Sequence, residues 1–330
     1  MGERLVVHPV IQLLEERRVS GSTASSRTDG CVLGVAIEGG GARGVVSAGM
    51  LMAIEDLGLT PCIDKVFGSS AGGINGALYL QGDLWRAESL YYTLANTKRF
   101  VDIWRPLRGD VIVDMKFALN EVLKGGLSVD AARIRAAGAD LHVAVTDVDS
   151  ASLRMVSDFE SSDDLTNALV AGCWLPMLAG PPFVFRGYRA LDGGVLLEHP
   201  ARAAAEGGCT HVLVLSTRFP RSQARLEPWR YLVREYLRTL NPELAVAFWK
   251  HSCRTVNYRQ HMTRGNTDPS KGAVMLTVSP RPGWAELPKL EPAFTAFQCA
   301  MKEGYESLQE QIMAARRVEP RTSTVKTPAG

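Results

Sequence analysis

Nothing in this chain of 330 residues is spaced to hold a metal or a disulfide framework. The six cysteines, Cys31, Cys62, Cys173, Cys209, Cys253 and Cys299, include no CxxC pair, and most fall in apolar patterns where a free thiol packs as a small hydrophobe. The histidines, His8, His142, His199, His211, His251 and His261, show no HExxH or comparable spacing, so no metal and no other cofactor is expected. Long apolar runs are missing as well. Glu3, Arg4, Glu15, Glu16, Arg17 and Arg18 break up the first thirty residues, which excludes a conventional signal core and a spanning helix there. Charge of one sign is also lacking: a formal +2 and a pI near 8.2 argue against nucleic acid and against strong electrostatic recruitment to an anionic membrane. No internal repeat is visible. The location expected is cytoplasmic, with peripheral contact at a membrane left open and dependent on local surface, and the oligomeric state is open.

What is present is an ordinary globular composition, 46% hydrophobic and 22% charged, long enough for one large α/β domain with additions. The stretch from Val32 to Leu80 organises it. Val32 to Ile37 reads as a buried strand that ends in Gly39, Gly40 and Gly41. After Arg43 a helical pattern of Val45, Met50, Ala53, Ile54 and Leu57 runs to Gly58. Ile63 to Phe67 reads as a second strand, followed by Gly68, Ser69, Ser70, Ala71 and Gly72 and a helix of small residues. This turn spells GxSxG about Ser70. A serine on a sharp strand-to-helix bend projects its hydroxyl clear of the sheet, with the N–H groups of the next helix aimed at it, so Ser70 is the candidate nucleophile. The earlier glycine turn can supply oxyanion donors from backbone N–H groups with no side chain in the way.

Gly39, Gly41 and Gly44 also match GxGxxG, with Asp64 near the distance of a ribose-binding acid in a dinucleotide fold. Position argues against that reading, since such an acid belongs at the C-terminal end of the second strand and Asp64 stands at its start.

Elsewhere, Pro9 to Val19 is expected to be a short helix docked through Val10, Leu13 and Leu14, and Ser20 to Gly30 a polar linker. Gly82 to Gly126 reads as mostly helical, on Leu84, Leu90 and Leu94 and then on Phe117, Leu119, Val122 and Leu123. Its aromatics, Trp85, Tyr91, Tyr92, Phe100 and Trp104, are read as core rather than acyl pocket. Leu141 to Thr146 and Leu153 to Val156 are strands joined by Asp147 to Ser152, where turn chemistry explains Asp147 and Asp149 better than a metal. Ser161 to Cys173 is a helix capped by Ser162 or Asp163. Phe183 to Phe185 and Tyr188 to Leu191 form a hairpin that delivers Asp192, followed by Gly193 and Gly194. A carboxylate kept near a serine hydroxyl in a partly dry site has its pKa raised and can take the serine proton. His211 to Ser216 is a further buried strand, Glu227 to Leu240 and Glu243 to His261 are helices, Val274 to Val278 is a last strand and Leu290 to Arg316 a last helix.

The GGGxRG loop, the GxSxG turn and Asp192-Gly193-Gly194, in this order, resemble the patatin-like phospholipase family over about residues 31 to 215. The resemblance implies an α/β patatin-like three-layer fold with a mostly parallel central sheet flanked by helices. It also implies a lipid acyl hydrolase with Ser70 as nucleophile, Asp192 as base, and Gly39, Gly40, Gly41, Ala42 and Arg43 as the oxyanion loop, acting on a lipid acyl ester. The organisation expected is a helix and linker over 1–30, a catalytic core over 31–215, a helical extension with one strand packed on the core over 216–316, and a disordered tail over 317–330. The chain departs from the family pattern twice. Gly172-Cys173-Trp174 stands where a small residue and serine usually precede a proline, which touches pocket shape, and His199 replaces an asparagine before Pro200. His199 keeps two alternatives in play: a helix cap, or the histidine of a Ser-His-Asp esterase or thioesterase. A catalytically idle regulatory protein is the alternative from another class.

Overall fold

The computed structural model describes residues 7–118, 128–219, 227–262, 272–284, 287 and 294–318. Helix α1 (Pro9–Ser20) precedes β1 (Leu33–Ile37), α2 (Gly44–Asp56), β2 (Lys65–Gly68), α3 (Ala71–Leu80), α4 (Ala87–Asn96), the short α5 (Met115–Phe117) and α6 (Ala131–Ala136). Next come β3 (Asp140–Asp147), β4 (Ser152–Val156), α7 (Ser162–Gly172), β5 (Phe183–Phe185), β6 (Tyr188–Asp192) and α8 (Pro200–Glu206). The chain continues with β7 (His211–Leu215), α9 (Trp229–Leu240), α10 (Pro242–Met262), β8 (Val274–Val278) and α11 (Phe294–Val318). The strands form one sheet in the order β5-β6-β3-β2-β1-β7-β8, with β4 also paired to β3. From β3 through β8 the pairs are parallel, and β4, β5 and β6 join antiparallel. The fold is α/β with a mostly parallel sheet between helices.

The unbroken apolar strands follow from cover on both faces. Successive side chains of a strand point to opposite sides. Leu33, Val35 and Ile37 of β1, with Leu213 and Leu215 of β7, enter the large core shared with α2, α3 and α11, while Ala36, Val212 and Val214 meet the alanines of α8. On the first face α11 lies so close on α2 that a Cβ at Gly49 would strike the Met301 carbonyl, and one at Gly304 would strike that of Val46. Helix α11 thereby seats Phe297, Leu308 and Ile312 in that core, and β8 extends the sheet beside β7.

The N-terminal helix docks as its pattern predicts, with Val10 and Leu14 fully buried. Its anchor is Arg17, which is 2% exposed and donates to Asp29 (2.8 Å), Asp64 (2.6 Å) and the carbonyls of Cys62 and Cys31 (2.8 Å each). Asp64 also accepts from Arg27 and from the Leu33 N–H at 2.7 Å. Although burial works the other way, these donors hold its carboxyl below the usual range. The acid that fell at dinucleotide spacing thus ties α1 and the 20–30 segment to the N-terminal ends of β1 and β2.

Three expectations need correction. The 82–118 region is less helical than its pattern suggests: after α4 the chain makes a bridge between Val101 and Val113 around a short 3-10 turn at Arg105–Arg108, and α5 is a single turn. The positions 119, 122 and 123 of the second pattern lie outside the described residues. Its aromatics are not uniformly core. Tyr91 is buried, but Trp85 and Trp104 are 66% and 67% exposed. The cap of α7 is Ser161, one residue earlier than expected, and its hydroxyl accepts from the Asp164 N–H. Asp147 behaves as turn chemistry requires, accepting from the N–H groups of Asp149 and Ser150. Residues 1–6 and 319–330 lie outside the description. No described helix is long and apolar enough to cross a membrane.

Candidate active site

Strand β2 ends at Gly68 and α3 begins at Ala71, so two residues make the bend. Ser70 takes up the turn with φ 53° and ψ −129°, a conformation that non-glycine residues rarely adopt and that persists only where the surroundings impose it. The surroundings are close backbone. A Cβ at Gly68 would lie 2.5 Å from the Gly72 carbonyl oxygen, and one at Gly72 would strike that of Ile37. Ser69 is buried, whereas Ser70 keeps partial exposure.

Sheet register then sets the level of Asp192. Gly68 pairs with Val143 and Val145 pairs with Asp192, so Asp192 stands two residues further along the sheet than Gly68, level with Ser70 and two strands away. With strands about 4.8 Å apart, two inward side chains span that gap. The Ser70 hydroxyl is near enough to the Asp192 carboxylate to draw its pKa down. Asp192 is held on every side: its N–H donates to the Trp174 carbonyl (2.9 Å), its carbonyl accepts from the Thr146 hydroxyl (2.9 Å), and its Oδ1 accepts from the Gly194 N–H (2.7 Å). Burial pushes its carboxyl up to about 6, against the opposing pull of the Gly194 N–H and the Ser70 hydroxyl. Gly193 fits beneath it because a Cβ there would strike the Ala144 carbonyl.

The glycine loop closes the third side. A Cβ at Gly39 would lie 2.6 Å from the Ser69 carbonyl oxygen and 3.0 Å from the Ser70 Cβ, so the loop backbone rests directly on the serine turn. Gly41 has φ 58°, the left-handed conformation that glycine takes without strain, and it opens a 3-10 turn through Ala42 and Arg43 into α2. The first N–H groups of a helix have no partner inside it and point back along the axis, here toward the Gly39–Arg43 loop.

Three further residues shape this site, and sequence reasoning missed the first two. Glu38 is buried, and its Oε2 accepts from the Ser216 hydroxyl (2.8 Å) and the Thr217 N–H (3.0 Å), while the Thr217 hydroxyl donates to the Gly39 carbonyl (3.2 Å). The end of β7 is thereby tied to the glycine loop. Asn75 donates to the Gly44 carbonyl (2.7 Å) and accepts from the Tyr91 hydroxyl (2.8 Å), locking the first turns of α2 and α3 together. A lone asparagine in the apolar helix AGGINGALYL was the available signal. Cys173 is the third. Burial together with the Asp192 charge pushes its thiol up, against a smaller pull from the Ser70 hydroxyl, so it stays protonated beside the serine. Trp174, in the triplet that departs from the family pattern, donates its indole N–H to the Pro181 carbonyl (2.7 Å) and packs on Phe183. His199 is the cap of α8, its Nδ1 accepting from the Ala201 N–H at 3.2 Å, with Pro200 opening the helix.

An open α/β sheet with a strained serine on a strand-to-helix turn and a buried acid level with it is the architecture of a serine hydrolase class. Within that class, the description "patatin-like phospholipase" matches residues 35–205, just over half of the sequence, and the chain belongs to this family. Among curated relatives, the mouse 1-acylglycerol-3-phosphate O-acyltransferase Pnpla3 is 42% identical over 57 residues, covering 17% of this chain and 14% of the relative. The mouse omega-hydroxyceramide transacylase is 26% identical over 172 residues, covering 50% of this chain and 28% of the relative. The chain thus spans less than a third of either relative. Among solved structures, VipD from Legionella pneumophila matches with a TM-score of 0.41 and 14% identity, covering 87% of this chain and 67% of that one.

Proposed function

We propose that this protein is a serine acyl hydrolase that cleaves glycerophospholipid or other lipid acyl esters, as a phospholipase A or lipid acyl hydrolase, through a Ser70–Asp192 dyad. The observation that carries the reading is a strained, accessible Ser70 standing level in the sheet with a buried Asp192 whose carboxyl is lifted to about 6. In this mechanism Asp192 takes the Ser70 proton as Oγ attacks the ester carbonyl, and the Gly39–Arg43 loop donates to the developing oxyanion. Asp192 returns the proton to the departing alcohol, leaving an acyl-serine. Water, deprotonated by the same carboxylate, then releases the fatty acid. The names of the two curated relatives favour a second acceptor: an acyl-enzyme of this kind also passes its acyl group to an alcohol that enters in place of water. Incubation with mixed phospholipid and neutral glycerolipid vesicles, followed by mass spectrometry, is expected to show free fatty acid and lysolipid. Newly acylated acceptors without free acid would make transfer the main activity, and no acyl product from any lipid or simple ester would support the idle alternative.

The triad alternative turns on His199, and the reading here treats it as a cap. His199→Asn replaces one capping side chain with another. It is expected to retain most ester hydrolysis and to lower stability by less than about 1 kcal/mol. A folded His199→Asn protein as inactive as one lacking the serine would replace the dyad with a triad.

A further inference from the structure

The segment 98–108 presents an unusual surface. Val101, Ile103, Trp104 and Leu107 are 39%, 58%, 67% and 82% exposed within seven residues, and Lys98, Arg99, Arg105 and Arg108 stand among them. These side chains sit on a built scaffold. The Asp102 N–H donates to the Ile112 carbonyl (3.0 Å), and the Asp114 N–H to that of Phe100 (2.8 Å). The Arg105 guanidinium donates to the carbonyls of Lys98, Arg99 and Val111. The acids of the segment are engaged internally: Asp102 pairs with Arg108 (2.5 Å), Asp110 accepts from the Val111 N–H and Asp114 caps α5. Lys98, Arg99, Trp104, Arg105 and Arg108, with these acids, line an open cleft of about 750 Å³. The Val113 N–H donates to the Leu178 carbonyl at 2.9 Å, which joins the segment to a turn where Met177 and Leu178 are also exposed, and that turn follows Cys173, the neighbour of Ser70.

A tryptophan and aliphatic side chains held outward among lysine and arginine is the chemistry of a bilayer interface: the apolar groups enter the headgroup layer and the cations meet lipid phosphates. We propose that the 98–108 segment, continued by Met177 and Leu178, is the surface by which this protein docks on an anionic phospholipid bilayer, setting the serine site at the interface. The proposal rests on the lipid-ester reading of that site for its purpose, but not for its test. With Arg108 paired to Asp102, Lys98, Arg99 and Arg105 are the cations left to meet lipid phosphates, and the near neutrality of the whole chain matters little because such attraction falls off within about 10 Å.

The test uses the full chain with vesicles of phosphatidylcholine alone and of phosphatidylcholine mixed with phosphatidylglycerol. The wild type is expected to cosediment with the mixed vesicles, less so as salt rises. The Ile103→Ser/Trp104→Ser/Leu107→Ser variant is expected to lose about tenfold or more in partitioning while its circular dichroism and its hydrolysis of a soluble short-chain ester stay unchanged. A Lys98→Gln/Arg99→Gln variant is expected to lose the preference for the anionic vesicles. Brominated lipid should quench wild-type fluorescence, and the quenching should vanish in Trp104→Phe. Vesicle binding by the triple variant equal to wild type overturns the proposal, as does wild type that hydrolyses the soluble ester but ignores both vesicles. A wild-type dimer that the triple variant converts to monomer would assign the patch to a second copy instead. Vesicle binding without any ester hydrolysis leaves the docking surface standing and removes the hydrolase reading.

Discussion

Ser70→Ala is expected to abolish labelling by a fluorophosphonate and to lower ester hydrolysis by on the order of ten-thousand-fold or more, the scale seen when the nucleophile of a serine enzyme is removed. Ser69→Ala is expected to keep most of both. The contrast is informative because the two serines are adjacent and differ only in placement. Ser69 is buried with its carbonyl against the glycine loop, whereas Ser70 is the residue strained into the turn, partly open to solvent and level with Asp192 in the sheet. Alanine at 70 meets the same backbone constraint as serine, so the variant should fold with an unchanged melting temperature, and its inactivity would report chemistry. Labelling measured by intact mass and located by peptide mapping checks the assignment. Label that persists in Ser70→Ala, or moves to Ser69, would sink it.

The elements that meet at Ser70 were legible because each is written locally. A strand ending in three glycines, a strand ending in GSSAG, and a hairpin ending in Asp192 can each be read from spacing, and the order of these motifs carries the family. What could not be read is what depends on register between distant segments. Glu38 reaches Thr217 across β1 and β7, Cys173 comes beside Ser70 because α7 packs on β3 and α3, and Asn75 of α3 joins Gly44 of α2 to Tyr91 of α4. The 82–118 region failed for a different reason. Aromatic content argues for burial only where another layer supplies a face, and Trp85 and Trp104 stand where none does among the described residues. The same failure made the surface at 98–108 visible. Asp64 shows the converse: its spacing fitted a cofactor, and its position at the base of β2 committed it to Arg17 and Arg27.

Asp192→Asn separates chemistry from stability, and the two are expected to move in opposite directions. As a general base, Asp192 must be ionised, so wild-type kcat/KM should rise with pH and level off above about 6, the value to which burial lifts this carboxyl. Asparagine keeps the Oδ1 that accepts from the Gly194 N–H but has no lone pair basic enough to take the Ser70 proton. Hydrolysis should therefore fall roughly a hundredfold or more, and the rise through pH 6 should disappear from what remains. Stability follows from the same shift. A folded-state pKa raised from 3.8 to about 6 means that the folded protein binds this proton more tightly than the unfolded chain does. The contribution is fully present below pH 3.8 and is lost as pH rises through 6. Roughly two pH units at about 1.36 kcal/mol each amount to about 3 kcal/mol lost by the wild type at neutral pH. The asparagine side chain carries no charge to bury, so the variant should match wild type near pH 4 and melt several degrees above it at pH 7. Calorimetric melts at the two pH values, with kcat/KM measured on a soluble ester between pH 5 and 8, check both halves. An active Asp192→Asn would remove the residue from the mechanism, and a variant no more stable than wild type at pH 7 would mean that the carboxylate is not held at the desolvation penalty its burial implies.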